Sequence, residues 1–252
     1  LQVTGIKSAT SSNLSVLEVL PPDPAVPDAS LIRDLSGKLP AVVSPPAWQG
    51  AKAKRILDIL LAGTGLAVSA PLSALIALAI KLEDRGPIFY RQDRVGRGGK
   101  VFQVLKFRSM VSDAEEAVGP VQASQGDPRV TRIGRLLRST ALDELPQLWN
   151  ILIGQMSFVG PRALRPGEIE VNGDGQSVPL EAIPGYAERH AVPPGLTGLA
   201  QVYAPRDIPR HQKFRYDLLY TRCRTFWLDV RLIAISLWIS VRGRWEHREQ
   251  KF

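Results

Sequence analysis

The run Ile59–Ile80 carries no charged side chain, and it constrains the fold more than any other stretch. A run of that length can cross a bilayer as a straight helix, which needs about 20 residues. Two features argue against a simple span. Ser69-Ala70-Pro71 falls near its middle, and a proline inside a helix removes a backbone hydrogen bond and kinks the rod. Ser69 can satisfy the freed carbonyl, an adjustment known in lipid. In addition, both flanks are basic: Lys52, Lys54 and Arg55 precede the run, and Lys81, Arg85, Arg91 and Arg94 follow it. A span would carry one basic flank to the wrong side, whereas a helix that dips into one leaflet and returns keeps both at cytoplasmic headgroups. Asp58 lies three and four residues from Arg55 and Lys54, placed to pair with them at the membrane surface. The expected element is a re-entrant helix over 51–86, broken near Ser69–Pro71 and anchored by Lys54, Arg55 and Asp58. The competing reading is a buried core helix of a soluble protein.

The chemistry is expected in Arg138–Arg162, RSTALDELPQLWNILIGQMSFVGPR. Two adjacent carboxylates, Asp143 and Glu144, stand between two arginines, Arg138 and Arg162. Proline is tolerated in the first turn of a helix, so Pro146 predicts a helix that starts near Asp143 and runs through Leu148, Trp149, Ile151 and Leu152. A start at Thr140, with Asp143 closing a capping box, would put Pro146 in the second turn. On either reading the carboxylates occupy the first turn, where the helix dipole favours their charged form and attracts phosphate. Ionised carboxylates beside arginines suit phosphoryl transfer through an aspartyl intermediate, with Mg²⁺ between the negative groups. The plain alternative is a pair of ordinary N-terminal helix acids.

The 252 residues allow one large domain, or one with appendages, and a net charge of +8 with pI ≈ 9.9 suits an anionic partner. Cys223 is the only cysteine, so no internal disulfide forms; with no signal peptide in view this fits a cytoplasmic compartment. The sequence opens on Leu1, which fits a trimmed start. His190, His211 and His247 make no zinc pattern. Residues 1–50, rich in Pro, Ser and Asp, read as an extended arm, with a disordered tail as the competing reading. Gly63-Thr64-Gly65 lacks the third glycine and the preceding strand of a dinucleotide site. Residues 87–110 read as a hairpin around Gly96-Arg97-Gly98-Gly99, with Lys106 and Arg108 on one face. A P-loop is excluded there, since Arg94 stands at its first glycine. Ser112–Gln125 suggests a short helix and loop. Val130–Arg138 reads as a helix with a stripe of Arg132, Arg135 and Arg138, and Ile183–His190 as a short helix. In Pro194-Gly195-Leu196-Thr197-Gly198 the glycines would let backbone approach a ligand. After 209 come amphipathic helices whose aromatics, interleaved with arginines, suit a membrane interface; packing against the catalytic body competes.

Taken together, these pieces resemble the bacterial sugar transferase family, the small monotopic polyprenyl-phosphate phosphoglycosyl transferases. The resemblance rests on Lys54-Arg55-x-x-Asp58, Ser69 and Pro71, Lys106-Phe107-Arg108-Ser109-Met110, Asp127-Pro128-Arg129-Val130-Thr131, Arg138, Leu142–Asn150, Met156–Arg162 and Pro194–Gln201. It implies transfer of a sugar 1-phosphate from a UDP-sugar to undecaprenyl phosphate with release of UMP, the step that initiates surface-polysaccharide assembly. It also implies Asp143 as nucleophile and Mg²⁺ ligand, and Glu144 assisting the acceptor phosphate. Arg138, Arg162, Lys106, Arg108, Pro161, Thr197 and Gln201 would bind substrate. The site would lie at the cytoplasmic face of the bacterial inner membrane, with membrane lipid and a second copy of the chain as candidate partners and no nucleic acid. The fold implied is α/β and monotopic: the re-entrant helix (51–86), a catalytic domain with a small sheet (87–205) and interfacial helices (206–252). Ala163, Pro193 and Tyr203–Asp207 depart from the family pattern near the expected donor pocket. The rival from another class is a non-catalytic basic adaptor on anionic lipid.

Overall fold

The computed structural model describes residues 50–111, 114, 127–171, 177–205 and 208–241. The arm before residue 50, the helix expected in Ser112–Gln125 apart from residue 114, and the tail from 242 lie outside the described residues.

Helix α1 (Ala51–Asp84) is continuous, with Pro71 inside it. Arg85 ends it in the left-handed region (φ 58), its N–H on the Lys81 carbonyl, and Gly86-Pro87 follow. Ile56, Leu60, Val68, Leu72, Leu75, Leu78 and Leu82 are exposed. Only 11% of the helix's most apolar stretch is buried, which speaks against the core helix of a soluble protein. Among the described residues it is the one helix long and apolar enough to cross a membrane, by length and composition.

One globular body holds both ends of α1. At the start, Lys54 Nζ lies 2.7 Å from Asp229. Arg55 donates to the carbonyls of Ile151 and Leu152 at 2.6 and 2.7 Å. Asp58 accepts from the Phe158 N–H at 3.0 Å and from Ser157 Oγ at 3.2 Å. At the other end Glu83 accepts the N–H groups of Arg132 and Ile133 at 2.7 and 3.2 Å, and Asp84 pairs with Arg108. Lys54, Arg55 and Asp58 therefore clamp the helix to protein rather than standing free among headgroups. Lys54 and Asp58 are buried, and buried charges require partners of this kind.

The expected hairpin is present: β1 (Phe89–Val95) and β2 (Val101–Phe107) pair antiparallel, with Tyr90 opposite Lys106 and Arg94 opposite Phe102. Helix α2 (Arg132–Ser139) starts at Thr131, whose Oγ1 accepts the Gly134 N–H at 2.9 Å. It leaves Arg132 and Arg135 exposed and Arg138 half-buried, so the expected stripe is divided. Helix α3 (Gln147–Leu152) leads to β3 (Ser157–Val159). A second antiparallel pair joins β4 (Ile169–Val171) to β5 (Ser177–Pro179). Then come α4 (Tyr186–Arg189), β6 (Gly195–Thr197), α5 (Leu199–Tyr203), α6 (Arg210–Cys223) and α7 (Phe226–Val241).

The α/β character is thus carried, among the described residues, by three two-stranded ladders. The parallel pair β3–β6 is central. A Cβ on Gly160 would come within 2.3 Å of the Pro193 carbonyl oxygen, and one on Gly195 within 2.1 Å of the Gly160 nitrogen. The close approach that the Pro-Gly loop permits is therefore to the neighbouring strand. The main core joins Val159, Leu199, Val202, Leu219, Tyr220, Leu228 and Leu232. Smaller clusters seat α1: Ala62 against Leu148, Ile151 and Met156, and Ile76 and Ile80 against Phe107 and Leu137. The expected interfacial character of the C-terminal helices is corrected for α6, whose Phe214, Leu218, Leu219 and Tyr220 are core residues. It fits one face of α7, where Leu228 and Leu232 are buried while Trp227, Leu237 and Trp238 are exposed.

Candidate active site

Asp143 and Glu144 lie in a 3₁₀ turn, Leu142–Glu144, and not in the first turn of a helix. Pro146 has no N–H to return to Leu142, so no α-helical ladder can form there. The chain instead makes i→i+3 bonds, Glu144 N–H to Ala141 and Leu145 N–H to Leu142, and α3 begins only at Gln147. Ala141, before the turn, takes a left-handed φ of 58, which costs a residue with a Cβ about 1 kcal/mol or more. Asn150 fixes the turn against the hairpin: its side chain accepts the Leu105 N–H at 3.0 Å and donates to the Gln103 carbonyl at 2.8 Å.

This packing delivers Lys106 to the acidic pair. Its Nζ lies 2.6 Å from Glu144 and 3.9 Å from Asp143. Asp143 is buried. Burial pushes its carboxyl up to about 6, against the pull of Lys106 and Arg138 and with the help of Glu144's charge. The expectation that its charged form would be favoured is reversed, because burial outweighs the cations beside it. Burial also opposes ionisation of Glu144, but Lys106, Arg162 and Arg94 outweigh it and hold that carboxyl below the usual range. The pair is thus divided into a carboxylate matched by cations and a desolvated neighbour. At neutral pH the neighbour is ionised yet more basic than an ordinary aspartate, which suits a nucleophile.

Of the residues expected here, Arg138, Arg162 and Lys106 act electrostatically on the acidic pair. Arg108 does not join them. It is buried, with Nε on the Pro87 carbonyl at 2.6 Å and its fork on Asp84, so it locks the end of α1 to β2. Thr197 is buried with its hydroxyl on Ser236. Gln201 Nε2 reaches the Gly160 carbonyl at 3.5 Å, and the Pro161 carbonyl accepts the Gly195 N–H at 2.9 Å. These three build the β3–β6 junction behind Arg162.

Two arginines escaped the sequence reading. Arg94 shares the inner face of the hairpin with Lys106. It donates to the Ala163 carbonyl at 2.8 Å, and burial with nearby Arg162 and Arg165 depresses its pKa to about 10. The two-residue alternation of β1, read against Lys106 across the turn, was the signal for it. Arg189 is fully buried and bonded to the Arg162 carbonyl; no local pattern marks it.

An acidic pair under the influence of Lys106, Arg138, Arg162 and Arg94 thus lies in the same body that holds a helix with an exposed apolar surface. The family profile described as bacterial sugar transferase matches residues 49–243, and the chain belongs to that family. It is 42% identical over 190 residues to the UDP-glucose:undecaprenyl-phosphate glucose-1-phosphate transferase of Klebsiella pneumoniae, covering 73% of this chain and 39% of that protein. It is 42% identical over 185 residues to the exopolysaccharide production protein PSS of Rhizobium leguminosarum bv. phaseoli, covering 71% and 90%. To the UDP-N-acetylgalactosamine-undecaprenyl-phosphate N-acetylgalactosaminephosphotransferase of Aeromonas hydrophila it is 39% identical over 193 residues, covering 75% and 44%. The matched region is thus under half the length of the first and third of these proteins.

Proposed function

We propose that the chain transfers a sugar 1-phosphate from a UDP-sugar to undecaprenyl phosphate, releasing UMP, and so initiates assembly of a surface polysaccharide. The observation that carries this reading is the divided acidic pair, with Lys106 at 2.6 Å from Glu144 and a desolvated Asp143 beside it. In the first step Asp143 attacks the sugar-bearing phosphorus. The Asp143–phosphorus bond forms, the bond to the bridging oxygen breaks, and UMP leaves. In the second, the acceptor phosphate oxygen attacks the same phosphorus and frees the aspartate, with Glu144 and Lys106 steering the incoming group. Arg138, Arg162 and Arg94 hold the phosphate charges.

Mg²⁺ suits this site. The described residues contain no cluster of three or more metal-ligating side chains, but Mg²⁺ usually takes one or two carboxylates with substrate phosphates completing its shell. Asp143, under-compensated by cations, would hold it with Glu144 alongside. When bound, the ion would neutralise charge on the transferring phosphate.

The site would face the cytoplasmic side of the inner membrane. That both ends of α1 lie on one side is supported by their bonds to one body while the middle exposes leucines, and the cytoplasmic side by the basic flanks. We propose a re-entrant path bent at Pro71 for this helix, which would be about 51 Å long if straight. Names of relatives divide between glucose and N-acetylgalactosamine. The test is therefore UMP release from UDP-glucose, UDP-N-acetylgalactosamine and related donors, with undecaprenyl phosphate and Mg²⁺. An intact-mass adduct on quenched enzyme given donor alone is expected. Turnover without any such adduct would overturn the covalent scheme, and no UMP release from any donor would overturn the function and favour an adaptor.

A further inference from the structure

Arg162 acts on the acidic pair as an exposed residue between buried Pro161 and Ala163, and its main chain is held from within the protein. The Arg162 carbonyl accepts a bond of 2.7 Å from Nη2 of Arg189. Arg189 is 1% exposed and too deeply buried to touch a soluble donor. Its own geometry is over-determined. Nε and Nη2 lie 2.9 and 2.8 Å from Asp217 Oδ2 on α6. The guanidinium carbon sits 4.7 Å from the Phe214 ring centroid. Nη1 lies 3.0 Å from His190 Nε2. An arginine can only donate, so this histidine nitrogen accepts and the imidazole proton is on Nδ1, which donates to the Tyr186 carbonyl at 2.7 Å.

We propose that Arg189, fixed by Asp217 and neutral His190, is a positioning residue that sets the backbone of Arg162 and hence the aim of its guanidinium at the transferred phosphate. The proposal rests on the reaction proposed above. The planar fork is what allows one side chain to satisfy a carboxylate, an imidazole and a peptide carbonyl together, and a lysine ammonium cannot reproduce it. Burial and the charge of Arg189 hold the His190 pKa down to about 4, so the acceptor nitrogen stays available throughout the neutral range. The arrangement joins α4 and α6 to the loop after β3, so the C-terminal helices contribute to the site without contacting substrate.

The test is a double-mutant cycle on the full chain in lipid nanodiscs, with hydrogen exchange of residues 158–165 as a second readout. Arg189→Lys should lower UMP-release turnover by tenfold or more, since misplacing a binding group by about 1 Å can cost on the order of 10²-fold. In an Arg162→Lys background the same change should cost less than about threefold, because the group it positions is already compromised. Backbone exchange across 158–165 should quicken in Arg189→Lys. Equal fold-losses in the two backgrounds, undiminished turnover, or unchanged exchange would each overturn the proposal. Should Arg189→Lys fail to fold, Arg189→Met with Asp217→Leu removes both buried charges together, a change that well-packed interiors tolerate, and the same cycle and exchange measurement apply. If wild-type enzyme releases no UMP, the reaction assignment falls and the exchange result alone decides the positioning.

Discussion

Asp143→Asn should abolish turnover and at the same time stabilise the protein. In the folded chain burial raises the Asp143 carboxyl from its ordinary value of 3.8 to about 6. Each tenfold change in proton affinity is worth about 1.4 kcal/mol, so keeping this carboxylate ionised in its buried site costs about 3 kcal/mol. The sign follows from proton linkage. Between pH 3.8 and about 6 the folded wild type retains a proton that the unfolded chain has lost, so wild-type stability falls as pH rises across that window. The asparagine variant has no such loss. Its advantage is therefore absent below about pH 3.8 and complete above about pH 6. For a chain of this size about 3 kcal/mol corresponds to a rise of roughly 6–12 °C in Tm. The assay is denaturation of detergent-solubilised wild type and variant at pH 4 and pH 8 in EDTA, with UMP release measured in parallel. Adding Mg²⁺ at pH 8 should narrow the difference, because an ion bound to the native wild type stabilises it by mass action. A variant no more stable than wild type at pH 8, or equally favoured at pH 4 and pH 8, would refute the reasoning.

Arg138→Lys and Arg162→Lys should each reduce turnover substantially, because bidentate phosphate contacts depend on guanidinium geometry; full activity in both, measured by UMP release, would reassign them to structural pairing. Arg108→Ala breaks its pairing with Asp84 and should cost about 1.5–3 kcal/mol of stability, while turnover per folded molecule stays near wild type; a fall in turnover with unchanged denaturation would return Arg108 to the substrate site. Single cysteines at Lys52 and Arg85, in a Cys223→Ser background, should both resist a membrane-impermeant thiol reagent applied outside intact cells. Labelling of one alone would mean that α1 spans the membrane.

What could be read from the chain were features carried by neighbours in sequence. The hairpin followed from two alternating stretches around a glycine-rich turn. The limits of α1 followed from an uncharged run between basic flanks. The acidic pair followed from its own composition and its flanking arginines. What could not be read depended on partners far away. Asp58 appeared to belong with Lys54 and Arg55, one turn back, yet its carboxylate serves Phe158, 100 residues on. Arg108 shares a strand parity with Lys106, but the strand ends at Phe107 and Asp84 takes the guanidinium. The start of α3 differs from the expected one because Pro146 does not open a helix at Asp143: its missing N–H tightens the preceding residues into a 3₁₀ turn. Arg189 had no local signature, since its role exists only once α4, α6 and the loop after β3 meet.

The two grips on α1 tie one apolar helix to both sides of the acidic pair. Asp58 holds the strand that leads to Arg162, and Glu83 holds the start of the helix that ends near Arg138. The apolar helix is therefore the common tether of the two segments that present Arg162 and Arg138 to the acidic pair.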